Sequence, residues 1–235
     1  MTRRMATVVD DERLRDREEV FVDRAAAGEA LARLMADTRD SDTVVLAVPA
    51  GGVPVAAVLA RMLGLALDVA VVSKITLPWN TEAGYGAVAF DGSVVLNQAL
   101  VQRLALPQAV VDEGIARTRS KVESRLESLR GERPWPALAQ RGAVLVDDGL
   151  ASGFTMMAAA AAVERAGAGR LSVAVPTGHR AAVDRLAELV DTVVCANVRG
   201  DGPFAVASAY QRWRDVPERE AAALLATAQP ATAAG

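Results

Sequence analysis

Short, mostly apolar β-branched runs recur along this chain and alternate with helical patterns, and this alternation constrains the fold more than any other feature. Thr43 to Val48, Asp68 to Ser73, Ala143 to Val146, Leu171 to Val175 and Thr192 to Cys195 all read as buried strands. Between them, Ala25–Met35, Val53–Leu63, Pro107–Leu129, Thr155–Ala166 and Arg180–Leu189 carry helical spacing. A strand apolar along its whole length is covered on both faces. Such strands alternating with helices predict an α/β domain with a mainly parallel sheet.

Composition removes several classes of function. The 235 residues are 51% hydrophobic and 23% charged, enough for a substantial core without crosslinks. Cys195 is the only cysteine, which precludes an internal disulfide or a Cys-based zinc cage and fits a reducing cytoplasm. One histidine excludes a multi-histidine metal site, and a net charge of −3 gives no basic field for nucleic acid. Met1 to Arg24 lacks the apolar stretch of a signal peptide, and no run is long enough to span a membrane. Residues 1–19 are expected to be flexible, residues 20–225 to form the domain, and residues 226–235 to be a flexible tail. The polar segment Thr76 to Gly86 reads as a loop, and Asp91-Gly92 as the turn of a hairpin.

One stretch carries most of the chemistry. Val144 to Val146 is a buried strand, Asp147-Asp148 an acid pair, and Gly149 to Thr155 a small-residue loop opening a helix. Ligands of open parallel sheets bind outside the carboxyl ends of the strands, where this loop must lie. Backbone N–H groups, the Ser152 and Thr155 hydroxyls and the positive end of a helix together make a phosphate cradle. Gly153 lets the backbone approach the anion. Adjacent carboxylates suit two neighbouring sugar hydroxyls, with magnesium as counter-charge when the ligand carries more phosphate. A second glycine turn, Pro49-Ala50-Gly51-Gly52, precedes the helix that contains Pro54 and offers another anion site.

The acid pair and its loop resemble the ribose-phosphate signature of the type I phosphoribosyltransferases, which use 5-phosphoribosyl 1-diphosphate (PRPP). A nucleoside-triphosphate P-loop would instead need Gly-Lys-Ser/Thr at the helix start. The resemblance implies that Asp147 and Asp148 hold the ribose hydroxyls and the magnesium ion. It gives the 5′-phosphate to Gly149, Ala151, Ser152, Gly153, Phe154 and Thr155, the pyrophosphate to Ala50, Gly51 and Gly52, and a basic role near the pyrophosphate to Lys74. It implies the family's fold, a parallel core sheet flanked by helices with a small hood, and a segment 76–86 that closes as a lid, with Asn80 and Glu82 as its polar candidates.

The resemblance extends to a bacterial branch of predicted phosphoribosyltransferases. Phe21, Asp23, Arg24, Ala27 and Gly28 match its N-terminal pattern; Pro78, Asn80, Glu82, Gly86 and Ala87 match its lid; and Phe204, Val206, Tyr210 and Trp213 match its ending. Ser73 stands where that branch commonly has Arg, and Thr76 and Trp79 replace smaller residues. The implied activity is transfer of ribosyl 5-phosphate to an unidentified, nitrogenous acceptor with release of pyrophosphate, a magnesium-dependent pentosyltransferase reaction of nucleotide metabolism. The alternatives are a non-catalytic PRPP-binding regulator and a hydrolase or phosphorylase of a related sugar phosphate. The expected partners are PRPP, the acceptor and a second copy of the chain, with no nucleic acid or membrane. Side chains outside the signature read blandly: His179 as a helix cap or surface residue, with an acid or base as the alternative, Arg24 as surface charge, and Phe204, Tyr210 and Trp213 as core.

Overall fold

Seven α-helices and nine strands are seen among the residues described by the computed structural model: 6–36, 41–200 and 202–227, with backbone only at 81 and 82. Six strands form one sheet in which every neighbouring pair is parallel. They are β1 (Thr7–Val9), β2 (Thr43–Ala47), β3 (Ala66–Val69), β7 (Gly142–Val146), β8 (Arg170–His179) and β9 (Thr192–Arg199). Their order across the sheet is β1-β9-β8-β7-β2-β3.

The sheet's two faces sort the strand residues by alternation. Val45, Ala47, Val144 and Val146 share one hydrophobic core with α1 (Arg24–Met35), α2 (Gly52–Leu63), α4 (Gln108–Arg130) and α7 (Glu218–Thr227). Val44, Leu46, Ala143 and Leu145 pack against α5 (Phe154–Arg165) and α6 (Arg180–Ala187). This is the covered parallel sheet that the apolar runs predict. The alanine-rich α5 buries Ala158, Ala159, Ala160 and Ala162, whose small side chains let the helix lie close to the strands. Asp23 begins α1 by accepting hydrogen bonds from the Ala25 and Ala26 N–H groups, both at 3.1 Å.

Two expectations are corrected. The run from Asp68 to Ser73 is not one strand: β3 ends at Val69, and the chain passes into a separate antiparallel sheet. That sheet comprises β4 (Val72–Leu77), β5 (Asn80–Ala89) and β6 (Val94–Leu96) in the order β4-β5-β6, and the β5–β6 hairpin turns at the expected Asp91-Gly92. The segment 76–86 is therefore mostly a two-stranded arm turning at Pro78-Trp79, with Trp79 exposed. Register shifts on both sides of Thr76 break the period-two pattern, which is why the strands read as loop. Tyr85, fully buried, anchors the arm where α4 presents Gly114; a Cβ there would lie 2.1 Å from the Tyr85 hydroxyl oxygen.

Residues 1–19 are the stretch expected to be flexible. From residue 6 onward they are built onto the sheet: β1 pairs with β9, Asn197 Nδ2 donates to the Arg17 carbonyl at 3.0 Å, and the Gly200 N–H donates to Asp16 at 2.5 Å. A three-residue edge strand has too few apolar positions to show a period. Of the tail expected from 226, residues 226 and 227 close α7 and residues 228–235 lie outside the described residues.

A buried ion pair ties α4 to β3. Arg130 Nε and Nη2 reach the two Asp68 oxygens at 2.9 and 2.8 Å, and the guanidinium carbon lies 4.0 Å from the Trp135 ring centroid. Removing one partner strands a buried charge, so Asp68→Ala is expected to lower stability by about 3–5 kcal/mol. Urea unfolding checks this, and a loss below about 1 kcal/mol would show the pair to be incidental.

Candidate functional site

At the carboxyl edge of the sheet the turn after β2 meets the acid pair after β7. A Cβ on Gly51 would lie 2.1 Å from Asp148 Oδ2, and one on Gly52 would lie 2.5 Å from the Val146 carbonyl oxygen and 2.9 Å from Asp147 Cα. Only glycine lets the two loops come this close. The Pro49–Ala50 peptide preceding them is cis. Ala50, Gly51, Gly52, Asp147 and Asp148, separated by about a hundred residues in sequence, thus form one cluster.

The acids are held differently. Asp147 Oδ1 accepts the Asp148 N–H at 2.8 Å. Burial, and then the charge of Asp148 beside it, push its carboxyl well above the ordinary carboxylate range. Asp148 Oδ2 instead accepts from Arg24 Nε at 2.9 Å and Nη2 at 2.8 Å. The Asp148 carbonyl accepts the Tyr210 hydroxyl at 2.5 Å. Burial and the adjacent Asp148 charge push the Tyr210 pKa up, so its hydroxyl stays protonated and remains a donor. The pair therefore combines one carboxyl disposed toward neutrality with one paired to a cation.

The loop from Gly149 to Gly153 continues from the acids into α5. Leu150 bridges to β8, donating to the Thr177 carbonyl and accepting from the His179 N–H, both at 2.9 Å. Arg185 Nη2 donates to the Ser152 carbonyl at 2.9 Å. Gly153 sits at φ 83°, a left-handed conformation, and no side chain caps α5. The first N–H groups of α5 therefore open beside the exposed Ala151 and Ser152. Phe154 and Thr155 form its first turn, and this is the geometry of an anion cradle.

Lys74 and Glu82 belong to the arm. Lys74 is exposed on β4 with its stem across Gly84 of β5, where a Cβ would come within 2.3 Å of its Cγ. The Glu82 side chain lies outside the described residues. Asn80 Oδ1 accepts the Ala83 N–H at 3.2 Å. His179 is a cap, as expected: its Nδ1 accepts the Ala181 N–H at 3.3 Å, and its ring meets Phe204 edge-on.

Arg24 was expected at the surface and is buried at 8% exposure, because it is spent on Asp148. Tyr210 is core, but Trp213 is 38% exposed beside Arg24. A groove of about 580 Å³ between Arg24, Pro54, Trp213 and Glu220 adjoins this cluster. Another cavity, about 270 Å³, lies at the amino ends of the strands between Thr43, Gly142 and Thr192, the edge away from the acids. Chemistry rather than concavity locates the site.

Known proteins resemble this chain in sequence and in fold. The phosphoribosyl transferase domain model matches residues 90–208. The Mycobacterium tuberculosis protein named "Putative phosphoribosyl transferase Rv0571c" (strain ATCC 25618 / H37Rv) is 37% identical over 206 residues, covering 88% of this chain and 46% of its own length; its namesake MT0597 from strain CDC 1551 / Oshkosh gives the same values. The chain thus spans about half the length of the curated relatives it matches. The crystal structure of TT1426 from Thermus thermophilus is 38% identical with a TM-score of 0.72, over 87% of this chain and 97% of that one. With the matching domain model covering half of its residues and its parallel sheet carrying the acid pair at the expected edge, the chain belongs to the phosphoribosyl transferase family.

Proposed function

We propose that residues 20–225 bind magnesium-PRPP and transfer its ribosyl 5-phosphate to a nitrogen acceptor. The bond from sugar C1 to the pyrophosphate oxygen breaks, a C1–N bond forms, and the acceptor gives up a proton. The observation that carries this reading is the close meeting of Gly51 and Gly52 with Asp147 and Asp148, next to the open start of α5. One donor molecule has three parts, a sugar diol, a terminal phosphate and a pyrophosphate, and the edge offers a matching group for each.

Asp147 and Asp148 would hold the sugar hydroxyls, Gly149 and Ala151 to Thr155 the 5′-phosphate, and the 50–52 amides the pyrophosphate. Such a transition state has oxocarbenium character, so rate comes from positioning and from stabilising the leaving group rather than from a protein nucleophile. Lys74, carried on the arm, would neutralise the leaving pyrophosphate when the arm closes and excludes water, with Asn80 and Glu82 as the arm's polar groups. Magnesium, when bound, supplies further counter-charge. Two adjacent carboxylates fit an ion that keeps phosphate oxygens in its shell, and among the described residues no group of three or more His, Cys, Asp or Glu gathers into a full protein cage.

Pyrophosphate release from PRPP and magnesium, measured across a panel of nucleobases and other nitrogen compounds, tests the reaction. Acceptor-dependent release is expected. Release without acceptor would make the protein a hydrolase, and binding without release from any acceptor would make it a PRPP-binding regulator.

A further inference from the structure

Asp148 is held by a residue 124 positions away in sequence, and that contact gives Arg24 a role that the family signature does not contain. We infer that Arg24 is a positioning residue for the sugar site: it fixes the Asp148 carboxylate on Oδ2 so that the opposite edge, Oδ1, meets the ribose hydroxyl. This rests on the PRPP reading above.

The surroundings of Arg24 are built for holding. Its side chain is 9% exposed and that of Asp148 15%. Nε and Nη2 both go to Asp148 Oδ2, and Nη1 donates to the Arg214 carbonyl at 2.8 Å. The guanidinium carbon lies 3.9 Å from the Trp213 ring centroid, so the cation is also stacked. Trp213 in turn packs on Tyr210, with centroids 5.1 Å apart, and Tyr210 bonds the Asp148 backbone. Gly51 closes the other side of Oδ2. The start of α1 and the turn after β2 thus meet at a single carboxylate oxygen, while the 210–214 segment holds Arg24 and the Asp148 backbone in place. A carboxylate left to rotate beside Asp147 would lose orientational freedom only on binding sugar; Arg24 removes that freedom beforehand. Its neighbour Arg212 lines the same groove but pairs with Asp23 at 2.7 Å, is 71% exposed, and makes no such convergence.

Calorimetric titration of PRPP with magnesium into the full chain and its Arg24→Met, Arg24→Lys and Arg212→Met variants tests the inference. Arg24→Met is expected to weaken PRPP binding about 30-fold, Arg24→Lys, which keeps the charge but not the fork or the stack, to weaken it about 5-fold, and Arg212→Met to leave it unchanged. Cooperative melting of each variant checks its fold. Arg24→Met binding like wild type, Lys giving no recovery, or Arg212→Met losing as much would overturn the assignment. If Arg24→Met does not fold, Arg24→Lys against Arg212→Met decides, and equal affinities overturn it. A wild-type chain that does not bind PRPP would overturn the donor-site reading itself, a result separate from PRPP binding that survives loss of Arg24.

Discussion

Gly52→Ala is expected to abolish PRPP binding and to lower the melting temperature. The added Cβ would sit 2.5 Å from the Val146 carbonyl oxygen and 2.9 Å from Asp147 Cα, both backbone atoms of a buried strand end that has nowhere to move. The two loops must separate, which uncouples the 50–52 turn from the acid pair and opens the packing at the top of β2 and β7. Overpacking of this kind costs about 1–3 kcal/mol or more. Gly51→Ala meets a side chain instead, Asp148 Oδ2 at 2.1 Å, and Asp148 can swing only by leaving Arg24. Its melting temperature should fall less, while its PRPP affinity falls at least about 100-fold. Calorimetry and thermal melting of both variants separate the effects. Near-normal affinity in Gly51→Ala would mean that the turn and the acid pair do not act on one ligand.

The acid pair itself gives the second large effect. The double variant Asp147→Asn/Asp148→Asn is expected to lose PRPP binding by more than about 100-fold while still folding, because each Asn keeps the acceptor oxygen that its neighbours use. The single variants should move stability in opposite directions. Asp147 has a folded-state pKa raised by burial and by Asp148, so ionising it opposes folding. That penalty is absent below the unfolded value near pH 4 and grows as pH rises toward the folded value. Asp147→Asn removes it and should raise the melting temperature at pH 7 by about 2–4 °C, with little change at pH 4. Asp148→Asn loses the charge that faces Arg24 and should be destabilised by about 1–3 kcal/mol at pH 7. If both singles destabilise at pH 7, the electrostatic account of Asp147 is wrong.

Much of this was legible from local pattern. The runs 43–48, 143–146, 171–175 and 192–195 each became parallel strands because an apolar strand needs only its own composition to announce burial on both faces. The stretch from Asp147 to Thr155 declared itself because strand, acids, loop and helix start are contiguous. What escaped depends on partners distant in sequence. Arg24 reads as an ordinary charged helix start until Asp148 is brought to it; its place in the Phe-x-Asp-Arg pattern was the available signal. Arg185, which holds the Ser152 carbonyl from α6, left no local trace, and Tyr210, which matches the branch's ending, showed nothing of its hold on the Asp148 carbonyl. The exit from the main sheet after Val69 was hidden because Ala70, Val71 and Val72 remain apolar through the crossing and are buried throughout.

The central claim is that the edge formed by residues 50–52, 147–148 and 149–155 is a PRPP site. Titrating the wild-type chain with PRPP, with and without magnesium, and repeating the titration on Asp148→Asn tests it most directly. The account predicts magnesium-dependent binding at micromolar PRPP that disappears in Asp148→Asn. Wild-type protein that takes up no PRPP, or an Asp148→Asn variant that binds it as tightly as wild type, would contradict it.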